Sequence, residues 1–221
     1  MTDAAVPRPP ASAEALFGER LPLARRYAEL LCTDGVLRGV IGPRESERIW
    51  PRHLLNSAAV GQLVARHARV IDVGSGAGLP GIPLALARPD LDVTLLEPLA
   101  RRVAFLEDVV AALDLPVRVV RERAENVAGA DADTVVARAV APLERLVPLT
   151  MPLLRVGGQL LALKGATAGA ELDAAGATLA RLGVSAAEVV AVELPDMDQL
   201  TVIRCVAGPD QVRSGRAGRA R

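Results

Sequence analysis

Three glycines at alternate positions, Gly74, Gly76 and Gly78, follow Asp72 at the end of the apolar run RVIDV. Glycine admits a positive φ and lets a ligand approach the main chain. The next apolar run, DVTLLE, also ends in a carboxylate, Glu97. A carboxylate at a strand end can accept hydrogen bonds from both hydroxyls of a ribose. Together the loop and the acid point to an adenosine-type ligand. The spacing is G-x-G-x-G; in the G-x-G-x-x-G of a dinucleotide site the last glycine would fall on Leu79. The alternatives are a tight strand-to-helix turn for the glycines and a solvated charge for Glu97. Farther along, Arg138 interrupts the apolar run TVVARAVAPL. An arginine is costly to bury unpaired, so it is a functional candidate, with a strand-end salt bridge as the alternative.

These groups need a scaffold that gathers strand ends. From Arg69 onward strand-like runs (RVIDV, DVTLLE, VRVVRE, DTVVARAV, GGQLLALKG) alternate with helix-like segments, among them LARRVAFLEDVVAALDL and PLERLVPLTMPLLRV. That alternation predicts a parallel sheet with helices on both faces. AEVVAVEL and QLTVIRCVA follow one another with only the turn-like PDMD between them, which predicts a final antiparallel pair. Before Arg69, residues 13–68 read as helical, with a break or a new helix start expected near Trp50 and Pro51. Residues 1–12, rich in Pro and Ala, are expected to be a disordered lead. A Rossmann-like domain is expected over 69–207, and an arginine-rich disordered tail over 208–221.

Composition narrows the function. The 221 residues carry 26 basic and 26 acidic side chains, so no global field favours nucleic acid or membrane. Lys164 is the only lysine. Cys32 and Cys205 lack metal-ligand spacing and read as reduced thiols of a cytoplasmic protein; no metal site is expected. No apolar run approaches the ~18 residues that span a bilayer, and a monomer is expected. The glycine loop and Glu97 describe the S-adenosylmethionine pocket of a class I methyltransferase. A nicotinamide-dependent oxidoreductase is the competing reading, disfavoured by the glycine spacing and by a single tyrosine, Tyr27.

More specific motifs occur in order: WPRHLLNSA, IDVGSGAGLPGIPLAL, LLEPLARRVAFL, RERAENV, ARAVAPLERL and LALKG. The set resembles the bacterial small-subunit ribosomal RNA methyltransferase G family, also called glucose-inhibited division protein B, from about Phe17 to Val206. The resemblance implies an α/β, class I methyltransferase fold with an N-terminal helical extension. It implies S-adenosylmethionine as cofactor and N7 of a guanine in the 530 loop of 16S rRNA as target, with the 30S particle or an assembly intermediate as partner. It carries cofactor contact onto Gly74, Leu79, Ala124 and Glu125, and places Arg138 at the methyl-transfer end. Lys164 matches the lysine of LKG near the site, and Arg52 and His53 match the RH of the N-terminal helix. With Arg123 of RERAENV these three are the RNA-binding candidates. The chain departs from the family's basic pair before the last strand, having Asp196, Asp198 and Gln199 there. A non-catalytic ribosome-assembly binder on the same fold is a third reading.

Overall fold

The computed structural model describes residues 6–127, 129–194 and 198–210. Its strands are β1 (Arg69–Val73), β2 (Asp92–Leu96), β3 (Arg118–Val120), β4 (Ala132–Arg138), β5 (Leu154–Lys164), β6 (Val184–Val192) and β7 (Leu200–Ala207). They form one sheet in the order β3-β2-β1-β4-β5-β7-β6. β1 to β5 pair in parallel, while β7 runs antiparallel to both β5 and β6. The order reverses between β1 and β4, so the strand ends there open a crevice for a ligand. Val70, Val93, Val135, Val136, Leu160 and Leu161 are all buried. Helices on both faces explain why these strands read as continuous apolar runs.

The helices are α1 (Ala11–Phe17), α2 (Leu21–Leu30), α3 (Asn56–Ala59), α4 (Gly81–Ala87), α5 (Ala100–Ala112), α6 (Leu143–Thr150) and α7 (Ala168–Arg181). One apolar cluster joins α1 to α5 to Val70, Val93 and Val136; the other joins α6 and α7 to Val135, Leu160 and Ile203. The N-terminal helices therefore belong to the same core as the sheet. From α2 the fully buried Tyr27 donates its hydroxyl to the Ala77 carbonyl, 2.7 Å away in the glycine loop.

Two expectations are corrected. The lead is in place within the described residues: Trp50 Nε1 donates to the Pro7 carbonyl at 2.7 Å, and α1 begins at Ala11. A new helical segment begins beside Trp50 and Pro51. The chain passes through Pro51 as a wide π-type turn, Ile49–Leu55, preceded by a 3-10 turn at Pro43–Arg48. Pro51 sits in the first turn, where N–H groups have no intrahelical partner to lose. The helix expected to reach Val156 ends α-helically at Thr150, and a 3-10 turn, Met151–Leu153, leads into β5. Leu154 there already pairs with Ala132 of β4, and sheet pairing outweighs helical periodicity. The acidic loop falls partly outside the described residues at Asp196, as does the tail from residue 211.

Candidate active site

The glycine loop turns the chain from β1 into α4. Gly74, Gly76 and Gly78 have φ of 68°, 60° and 96°, a region L side chains rarely adopt. The Gly74 N–H donates to the Leu96 carbonyl at 2.8 Å, tying β1 to β2. Glu97 is buried. Its Oε2 accepts the Gly76 N–H at 2.9 Å and its Oε1 the Leu99 N–H at 3.0 Å. The acid thus shapes the loop while each oxygen keeps a second lone pair.

The three glycines differ in what they face. A Cβ on Gly76 would meet nothing nearer than the Gly74 carbonyl at 3.8 Å, so the missing side chain opens a cradle. A Cβ on Gly74 would lie 2.9 Å from a Val140 methyl. A Cβ on Gly78 would sit 2.4 Å from Ile82 Cδ1 and 2.9 Å from the Tyr27 hydroxyl. At Gly78, also expected at the cofactor, the missing side chain lets the loop pack on the helix. Gly74, Gly76 and Leu79 line a cavity of about 280 Å³ with Ile41, His53 and Arg138.

Beneath the loop Asp72 is fully buried, and its Oδ2 accepts the Gly81 N–H at 2.9 Å. Its Oδ1 has no hydrogen-bond partner among the described residues. Burial pushes its pKa from 3.8 up to about 7, with the nearby Glu97 adding to the rise. A carboxyl whose folded pKa is raised stabilises the fold below its unfolded pKa and loses that contribution as pH rises through the folded value. Asp72→Asn keeps an acceptor for Gly81 and cannot ionise. The melting temperature of the Asn variant is therefore expected to gain on the parent by several degrees as pH rises from about 4 to about 7. Calorimetric melting across that range checks it; a constant gap would mean that Asp72 is ionised throughout.

Arg138 closes β4 and stands between two cavities. Its NH2 lies 2.9 Å from His53 Nδ1, and its NH1 donates to the Ser57 hydroxyl at 3.3 Å and the His53 carbonyl at 3.5 Å. No carboxylate pairs with it among the described residues, so the strand-end salt bridge is not what holds it. Burial, then Arg52, lowers its pKa. The next residue, Ala139, has φ 54°, a conformation costing a non-glycine residue roughly 1–2 kcal/mol. This turn leads the chain along a second cavity, of about 650 Å³, lined by Arg52, Asn56, Arg138, Val140, Lys164 and Leu200 among others. Arg138 and Ala139 line both cavities.

The RNA-binding candidates part company. Arg52 lines the larger cavity with half its side chain exposed. His53 is buried, its Nε2 2.7 Å from Glu45 Oε2 and its Nδ1 facing Arg138, so it bridges the two. Lys164 also lines the larger cavity, but its ammonium is held by Glu171 Oε2 at 2.7 Å and the Ala141 carbonyl at 2.8 Å. Arg123 and Glu125 are exposed and lie 3.9 Å from each other; neither lines either cavity. Ala124 packs with Val73 and Leu96, at the ends of β1 and β2.

Sequence reasoning missed Glu45, Asn56, Ser57 and Ala139. Asn56 and Ser57 stood within the quoted RHLLNS. Glu45 gave no signal, since it meets His53 across the junction of a 3-10 turn and a π-type segment, which no regular helical or strand period describes. No group of three His, Cys, Asp or Glu able to hold a metal occurs among the described residues. No helix among them is long and apolar enough to cross a membrane.

The open cradle at Gly76, the acid after β2 and the apolar Ala124 beside both strand ends fit an adenosine-bearing cofactor. This strand order with the glycine loop after β1 is the fold of the class I S-adenosylmethionine-dependent methyltransferases. Among solved structures, a methyltransferase from Pyrococcus furiosus matches with a TM-score of 0.54 and 12% identity over 72% of this chain and 86% of that one. M. jannaschii TYW2 in complex with AdoMet matches with a TM-score of 0.54 and 16% identity over 72% and 76%. The family model for rRNA small subunit methyltransferase G (GidB) matches residues 20–200. A ribosomal RNA small subunit methyltransferase G of Mycobacterium sp. (strain KMS) is 59% identical over 79% of this chain and 80% of its own. One from Thermobifida fusca is 55% identical over 92% and 86%. The chain belongs to the rRNA small subunit methyltransferase G family.

Proposed function

We propose that the chain transfers a methyl group from S-adenosylmethionine to N7 of a guanine in the 530 loop of 16S rRNA. The observation that carries the reading is the pair of adjoining cavities with Arg138 in the shared wall. The smaller cavity, under the glycine loop, suits the methionine half of the cofactor, with Glu97 and Ala124 toward the adenosine end. The larger one suits a base swung out of its stack, which an RNA loop permits at low cost.

The cofactor supplies a methyl activated by a sulfonium. Guanine N7 offers an in-plane lone pair and carries no proton, so the chain needs no general base. Its task is to hold the reacting atoms in line, an effect that supplies up to ~7–11 kcal/mol in favourable cases. The planar fork of Arg138 suits the O6 edge of guanine beside N7. With no net charge to attract naked RNA, the favoured substrate is an assembled or partly assembled 30S particle.

The test uses methyl-labelled S-adenosylmethionine with 30S particles lacking the modification, and separately with the isolated loop oligonucleotide. Label is expected in N7-methylguanosine from the particle, with far slower turnover on the oligonucleotide. Label on another atom would overturn the site assignment, and RNA binding without transfer would favour a non-catalytic binder. Tight NADH binding in place of S-adenosylhomocysteine would favour the oxidoreductase.

A further inference from the structure

Arg138 is held by a bond chain that begins outside both cavities. Arginine has five N–H donors and no acceptor. His53 Nδ1, 2.9 Å from Arg138 NH2, must therefore accept. A neutral imidazole that accepts through Nδ1 carries its proton on Nε2. That proton points at Glu45 Oε2, 2.7 Å away. Glu45 accepts it as a carboxylate, and its pKa is lowered chiefly by this bond to His53. Burial, then the charge of Arg138, lowers the pKa of His53, so the ring stays neutral near pH 7. Were the imidazole protonated, both nitrogens would donate and Arg138 would lose its shortest contact.

We propose that Glu45 is a positioning residue for methyl transfer: by accepting the Nε2 proton of His53 it fixes the tautomer and ring orientation that hold Arg138 in the wall between the two cavities. Glu45 lies in the 3-10 turn Pro43–Arg48, directly after Gly42, which with Val40 and Ile41 lines the smaller cavity. Glu45, His53 and Arg138 thus connect the rim of that cavity to the arginine. Arg52, whose Nε is 3.9 Å from the same Glu45 oxygen, is the only cation paired with Glu45 among the described residues. The inference rests on the reading that Arg138 meets the guanine beside the methyl.

Two measurements test it. Nitrogen-15 spectroscopy of the imidazoles at pH 7–8, with His67→Asn to assign the only other histidine, should show His53 protonated at Nε2 and bare at Nδ1. The opposite tautomer overturns the proposal without any activity being measured. In methyl transfer to 30S particles, Glu45→Ala should lower kcat about tenfold, the scale of one lost charge-assisted hydrogen bond, with KM for S-adenosylmethionine changed less than about threefold. Glu45→Gln, whose amide oxygen can accept the same proton, should recover most of the loss. Adding Glu45→Ala to His53→Ala should cost nothing further, because Glu45 acts through the ring. Additive losses, or a Gln variant no better than Ala at equal melting temperature, overturn the proposal. If Arg138→Ala lowers turnover and Glu45→Ala does not, the inference falls alone. If Arg138→Ala keeps full turnover, the reading of the site falls with it.

Discussion

Arg138→Ala is expected to reduce methyl transfer to 30S particles on the order of 100-fold, with the loss in the chemical step. A hydrogen bond to a charged group is worth about 1.5–3 kcal/mol, and each 1.36 kcal/mol of barrier is tenfold in rate, which brackets the figure. The structure favours a catalytic origin for the loss. Among the described residues the guanidinium bonds only neutral groups, on His53 and Ser57, so removing it strands no buried carboxylate partner there. The melting temperature should therefore change little compared with the rate. Single-turnover measurements at saturating S-adenosylmethionine separate binding from chemistry. A loss confined to KM for the cofactor would put the arginine at its methionine end alone. Arg138→Lys keeps the charge and loses the planar fork, so it should remain well below the parent. Near-normal turnover in the lysine variant would sink the base-orienting role.

Gly76→Val is expected to weaken S-adenosylhomocysteine binding at least ~100-fold while leaving a folded protein. Gly76 has φ 60° and faces open space where a Cβ would stand. A branched side chain there takes on left-handed backbone strain of roughly 1–2 kcal/mol, modest beside the stability of a domain of this size. Its two methyls would project into the cradle. Gly78→Ala is the contrasting control: its Cβ collides with Ile82 and the Tyr27 hydroxyl, so its main effect should be on melting temperature. Titration calorimetry and thermal melting of both variants decide the matter. Unchanged affinity in the valine variant would remove the loop from the cofactor site.

Much of the architecture was legible because strand and helix periods alternate cleanly after Arg69. All seven strands fall where apolar runs stand between turn-forming residues. The errors lie where tertiary contacts override local pattern. Leu154 joins β5 because β4 needs a partner. At the site, glycine spacing and strand-end acids announce themselves, since few other residue types could stand there. The packing of Gly78 against Ile82 and Tyr27 was not legible, because flexibility in sequence does not say which side of a loop is crowded. The contact of His53 with Arg138, 85 residues on, has no local signature in the sequence.

The bond from Tyr27 to the Ala77 carbonyl has a bearing on inherited loss of function. It reaches across 50 residues of sequence and places a helix of the extension in direct charge of the loop's shape. Because α1 to α5 share one apolar cluster with the sheet, the extension is expected to unfold together with it. A lesion at Ala24, Tyr27 or Leu31, all fully buried and all far upstream of the glycine loop in sequence, would lower the population of competent molecules throughout the domain. Such alleles would score as methylation defects in a cell while leaving every cavity-lining residue intact.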